Sequence, residues 1–97
     1  MERIWIDDTR PAPSGFRWAK TYEEATTLID YCTICKGGID LICFDYDLGG
    51  DKTGYDIAKY LVDNHIPVGE YKVHSAHPAG VKNICNLLNY YGYKYQI

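Results

Sequence analysis

No stretch of this sequence approaches the roughly 18 consecutive apolar residues that a membrane span requires. The first residues, Met1-Glu2-Arg3-Ile4, run straight into a strand-like pattern, with no basic-then-apolar leader. These two absences set the expectation of a cytoplasmic protein with no membrane partner. Basic charge is not in excess either. A net charge of -3 and a pI of about 5.5 give no electrostatic pull toward bulk nucleic acid or an anionic membrane, although a small phosphorylated ligand held through a metal stays open. Internal repeats, low-complexity tracts and linkers are missing, so the 97 residues are expected to form a single domain, 1–97. The four cysteines (Cys32, Cys35, Cys43 and Cys85) contain one C-x-x-C pair and no second. That falls short of a structural zinc site, which needs four ligands. On a helix Cys32 faces inward as a small hydrophobe, and without a secretory signal the thiols are expected to be reduced.

What is present is enough apolar material for one small core. Hydrophobic residues make up 46% of the chain, and ten tyrosines can line its margin with their hydroxyls wet. Strand-like and helix-like patterns alternate, which predicts a parallel sheet with covered faces. Arg3 to Ile6 reads as the first strand and Phe16 to Lys20 as the second, joined by a loop with two prolines, too short for a helical crossover. Thr21-Tyr22-Glu23-Glu24 reads as a capping box opening a helix. That helix places Tyr22, Ala25, Leu28, Ile29 and Cys32 on one face, and Gly37-Gly38 ends it. Ile39 to Phe44 is the most apolar run, as expected of a central strand buried on both faces. A second helix starts near Thr53 and is broken by Pro67. Tyr71 to Val73 is the fourth strand. A third helix starts at Pro78 and closes at Gly92, and alternating Tyr93, Tyr95 and Ile97 read as a fifth strand.

Three strands end in chemically capable residues: Asp7-Asp8, Asp45-Tyr46-Asp47 and His74-Ser75. Ligands of open parallel sheets bind beyond the carboxyl ends of the strands. Carboxylates gathered there repel one another, and a hard divalent cation relieves the repulsion; Mg²⁺ fits, as it takes oxygen ligands and keeps several waters. Each aspartate alone has an ordinary alternative as a turn former; three strand ends converging favour the metal. His74 can move a proton near neutral pH, or can simply be a hydrogen-bonded strand-end residue. Ser75 can donate to a phosphoryl oxygen. His77 precedes a helix start, where anions are favoured, with loop solvation as its alternative. The planar fork of Arg10 suits a phosphate, or an exposed pairing with a nearby aspartate.

Asp7-Asp8, Asp45 and Ser75-Ala76 at three successive strand ends resemble the receiver domains of two-component signalling. The chain is still more similar to a compact variant, the cyclic-phosphate processing receiver domain. That resemblance is carried by Trp5-Ile6-Asp7-Asp8-Thr9-Arg10-Pro11, Asp45-Tyr46-Asp47-Leu48-Gly49, Thr53-Gly54-Tyr55-Asp56 and His74-Ser75-Ala76-His77-Pro78. It implies a three-layer, receiver-like (flavodoxin-like) α/β fold with a five-stranded parallel sheet of order 2-1-3-4-5, lacking the first and last helices. It also implies that Asp7, Asp8 and Asp45 hold Mg²⁺ (or Mn²⁺). The receiver lysine after the fifth strand has no counterpart, since Lys94 lies at the wrong end, so the resemblance implies the site more than the phosphorylation switch.

Two functions follow. The first is a metal-dependent phosphoesterase acting on a cyclic or nucleotide-type phosphate, with Asp45, Asp47, His74 and Ser75 as catalytic residues and Arg10, Ser75 and His77 binding the phosphate. The second is a non-enzymatic signalling or ligand-binding module that binds Mg²⁺ and accepts a phosphoryl group on Asp45. Asp45-Tyr46-Asp47 is also similar to the nucleophile motif of haloacid-dehalogenase phosphatases, but those are longer and need a downstream lysine and further acidic residues. The partner expected in either case is a small phosphorylated or cyclic nucleotide ligand. The tyrosine-rich segment Tyr90 to Tyr95 fits a monomer or a weak homodimer.

Overall fold

A computed structural model describes residues 1–97. The elements in chain order are β1 (Glu2–Ile6), β2 (Arg17–Ala19), α1 (Tyr22–Cys35), β3 (Ile39–Phe44), α2 (Gly54–Asp63), β4 (Val68–Val73) and α3 (Pro78–Tyr90). The sheet is parallel throughout, in the order β2-β1-β3-β4. Alternation along the strands sorts the side chains. Ile4, Ile6, Ile42, Phe44, Tyr71 and Val73 belong to one core with Ala25 and Ile29 of α1, Ile57, Ala58 and Leu61 of α2, and Ile84 and Leu88 of α3. The other face carries Arg3, Trp5, Leu41, Cys43 and Lys72, and its cover over β1 is the loop 7–16: Phe16 meets Trp5 edge-on at 6.0 Å, and Trp5 Nε1 donates to Arg10 O at 3.0 Å. This loop is the third layer, standing where a crossover helix would otherwise lie. No helix is long and apolar enough to cross a membrane.

The helix boundaries follow local chemistry. Thr21 caps α1 by accepting the Glu24 N–H, but Glu24 Oε1 returns to Lys20 N rather than to Thr21. The reciprocal box is at α2 instead, where Asp56 Oδ2 accepts the Thr53 N–H at 2.8 Å and the Thr53 hydroxyl accepts the Tyr55 N–H. α3 closes on Gly92 (φ 87), with Tyr93 N donating to Leu88 O and Gly92 N to Asn89 O. α2 closes by the same motif four residues before Pro67 is reached, on His65 (φ 53), with Ile66 N donating to Leu61 O and His65 N to Val62 O. Pro67 therefore does not break this helix; a left-handed histidine ends it first.

Two strands differ from expectation. β4 starts at Val68, not Tyr71. Gly69 hides the strand in the sequence, yet it is what lets β4 approach β3, since a Cβ there would lie 2.5 Å from Asp40 O. The expected fifth strand is a single bridge: Tyr71 N donates to Lys94 O, and Gln96 N to Tyr71 O. The alternating tyrosines mimic a strand because each is half apolar. Tyr93 turns its hydroxyl onto Ile66 O at 2.6 Å, and Tyr95 packs edge-on against Tyr71.

The start of α2 abuts the site-bearing turn after β3. Gly54 N donates to Tyr46 O at 2.8 Å, and a Cβ on Gly54 would lie 2.2 Å from Asp45 O. Backbone cannot retreat as a flexible side chain can. Gly54→Ala is therefore expected to lower the unfolding free energy by about 1–3 kcal/mol, whereas Gly50→Ala, which meets nothing within 4 Å, leaves it within about 0.5 kcal/mol. Urea denaturation of the two variants checks this, and equal midpoints would contradict it.

Candidate functional site

The parallel register brings Ile6, Phe44 and Val73 level at the carboxyl ends of β1, β3 and β4. The ladder runs one step further, with Asp45 N donating to Ile6 O and His74 N to Phe44 O. The residues that follow each strand therefore emerge at one edge. One carboxylate oxygen each from Asp7, Asp8 and Asp45 lies within 4.8 Å of the others. These residues fit a hard divalent cation. All three offer oxygen, and Gly49 (φ 76) carries no side chain where a Cβ would press to 2.8 Å on Asp8 Oδ2.

Asp7 is fully buried and the other two are half-buried. Burial alone raises a carboxyl pKa, yet that of Asp7 lies below its ordinary value. The backbone N–H groups of Arg10 (2.8 Å) and Thr9 (2.9 Å) donate to Oδ1, and His74 Nε2 donates to Oδ2 at 3.0 Å, and together they outweigh desolvation. Arg10 adds its Nε 3.8 Å from Oδ2, and anchors its own fork by donating from Nη1 to His74 O at 3.0 Å.

His74 lies flat on Trp5, with centroids 3.9 Å apart and planes within 3°. Burial pushes its pKa below the ordinary value, against the opposing pull of Asp7. Its Nε2 is taken by Asp7, and its Nδ1 is buried with no partner. Neither nitrogen reaches the cleft beside the carboxylates. That cleft, about 300 Å³, is lined by Arg10, Asp45, Asp47, Ser75, Ala76 and His77. Asp47 stands exposed at its lip, where Oδ1 accepts the Gly49 N–H. Ser75 Oγ accepts the His77 N–H at 3.1 Å. The structure thus gathers Arg10, Asp45, Asp47, Ser75 and His77 in one cleft, sets Asp7 and Asp8 beside it, and withdraws His74 behind Asp7.

Several supporting residues escape a reading by strand ends. Thr9 gives Asp7 both its N–H and, at 3.3 Å, its hydroxyl, and the spacing Asp7-x-Thr9 is the signal of such a turn. Trp18 Nε1 donates to Asp7 O at 2.7 Å. Tyr46 stacks on His77 with centroids 4.5 Å apart. The tryptophans give no signal in their spacing, because their targets are backbone carbonyls, of Arg10 for Trp5 and of Asp7 for Trp18.

The family model described as cyclic-phosphate processing receiver domain matches residues 2–90. No curated protein and no solved structure matches the chain.

The inner pair has a pH signature. Asp7 and His74 both have folded-state pKa values below their ordinary ones, 3.8 and 6.5. At acid pH the unfolded chain then binds more protons than the native one, so stability is full above the ordinary value of each group and is lost as pH falls through it toward the native value. Unfolding free energy should fall as pH drops below 6.5, and fall again below 3.8. Asp7→Asn should shrink the lower limb, to which Glu2, held down by its bond to Arg17, also contributes, as measured by urea melts across pH; an unchanged lower limb in that variant would contradict the assignment.

Proposed function

The chain belongs to the cyclic-phosphate processing receiver domain family, and on that footing we propose that it is a metal-dependent phosphoesterase acting on a small cyclic or nucleotide-type phosphate. The observation that carries this reading is the meeting of Asp7, Asp8 and Asp45 within 4.8 Å beside a cleft that also holds a guanidinium and a hydroxyl.

Asp8 and Asp45 would hold Mg²⁺ or Mn²⁺, with Asp7 behind them. When bound, such an ion neutralises phosphoryl charge and lowers the pKa of water. Asp7 spends its oxygens on Thr9, Arg10 and His74, which fixes the turn that presents Asp8 and aims Arg10. In this reading His74 positions Asp7 rather than moving a proton at the phosphate. Arg10, anchored on His74 O, pairs with phosphoryl oxygens as planar forks do. Ser75 Oγ already accepts the His77 N–H, so its own proton is free to donate to the phosphate. Asp47 keeps one oxygen beyond its turn bond and can take the proton of an attacking water.

The half-buried carboxylate of Asp45 itself lines the cleft, which favours a second reading: Asp45 accepts a phosphoryl group once and the domain acts as a binding module. The two are separable. A panel of cyclic nucleotides with Mg²⁺ or Mn²⁺ should show turnover that falls about 10²-fold or more in Asp45→Asn, in line with the loss of one principal electrostatic contact, and that stops on chelation. No turnover above an Asp45→Ala control across the panel overturns the phosphoesterase. A single added phosphoryl group by intact mass, after incubation with a small phosphodonor and Mg²⁺, would then support the binding module.

A further inference from the structure

We infer that His77 serves the bound phosphate as a hydrogen-bond donor of fixed tautomer, presenting Nε2–H to a phosphoryl oxygen without transferring its proton, and that Tyr46 and Gly80 hold the ring in place. The inference rests on the phosphate site proposed above and deepens it.

His77 is the N-cap of α3, and its Nδ1 accepts the Gly80 N–H at 2.9 Å. A ring nitrogen that accepts a hydrogen bond does so through its lone pair, so the proton of the imidazole sits on Nε2. The same bond satisfies one of the orphan amides at the start of α3. Acting as a base would need a bare Nε2 and the opposite tautomer, at the loss of that cap. What the ring can offer without disturbing its own helix is a donor. An imidazole used as an electrophilic donor rather than as an acid is an established catalytic option.

The plane of the ring is set as well. Tyr46 stacks on it with centroids 4.5 Å apart and planes 28° from parallel. Tyr46 in turn lies against bare backbone, since a Cβ on Gly80 would come within 2.3 Å of Tyr46 Cγ. Gly80 thus has two roles: its N–H fixes the tautomer, and its missing side chain admits the aromatic that supports the ring. The His77 backbone N–H meanwhile holds Ser75 Oγ, so one residue orders two of the cleft's donors. Of the two histidines near the acidic cluster, His77 is the one that lines the cleft; both nitrogens of His74 are withdrawn from it.

The test uses the uniformly ¹⁵N-labelled full chain near neutral pH, with the two-bond proton–nitrogen correlations of the histidine rings and the backbone amide and arginine Nε resonances read by NMR. The wild type should show His77 protonated on Nε2 and bare on Nδ1. Adding Mg²⁺ and inorganic phosphate should move the Nε2 resonance. His77→Asn keeps a side-chain oxygen for the cap and loses the ring donor. It should unfold at the same urea midpoint as the wild type and bind phosphate about tenfold more weakly, the size of one donor to a charged group. Gly80→Ala keeps the capping N–H but displaces Tyr46, so it should leave the proton on Nε2 while weakening phosphate binding. An Nδ1–H form or a rapidly exchanging mixture in the wild type overturns the inference, as does undiminished phosphate binding by His77→Asn. If Arg10 and Ser75 respond to phosphate and His77 does not, the inference falls and the proposed function stands. If none of the three responds, both fall.

Discussion

One carboxylate shut away from water organises this end of the molecule. An ionised side chain in the position of Asp7 is costly unless its lone pairs are engaged, and here the cost is offset by donors from two parts of the chain. Thr9 and Arg10 come from its own turn, and His74 comes from the end of β4. Trp18, at the sheet edge in β2, takes the carbonyl of the same residue. Because these partners converge on one residue, the ends of β1, β2 and β4 are tied together at the point where the outer carboxylates, Asp8 and Asp45, must be held close despite their repulsion. Without that tie the repulsion would be free to splay the turns. Removing any partner leaves a buried charge short of a bond, so the inner residue constrains the geometry of the outer ones.

Most of the fold could be read from apolar periodicity. Ile39 to Phe44 stands out because a central strand is buried on both faces, and α1 and α3 because their apolar residues recur at helical spacing. What escaped notice had specific causes. Gly69 looks like a loop residue and is a strand residue, because its value lies in how closely backbone can approach backbone. His65 terminates a helix in a conformation that glycine usually supplies. Tyr93 and Tyr95 alternate like a strand, yet each is placed by its hydroxyl or its ring edge rather than by a ladder. Of the site, the acidic residues were legible because they follow strands. The different settings of His74 and His77 were not, because they depend on which backbone or carboxylate partner each ring nitrogen meets.

The loop 7–16 does two jobs at once. It carries the acidic pair and Arg10, and it supplies the cover over Trp5 on the face of the sheet away from the helices. That face otherwise carries Arg3 and Lys72, both exposed, next to the buried Leu41 and Cys43. Burial there pushes the Cys43 thiol up to about 11, in spite of the nearby Lys72 and Arg3. The loop therefore stands in for a helical layer over β1, and the segment nearest the acidic cluster is also a structural wall.

The chain has only two tryptophans, and both spend their indole N–H on carbonyls of this one segment: Trp5 on Arg10 and Trp18 on Asp7. One of them also lies flat against His74. Indole emission is sensitive to what its N–H and its faces touch, so the intrinsic fluorescence of the protein is an optical record of the loop that holds Asp8 and Arg10. The molecule carries its own reporter, with no dye attached, for whatever occupies the edge of the sheet.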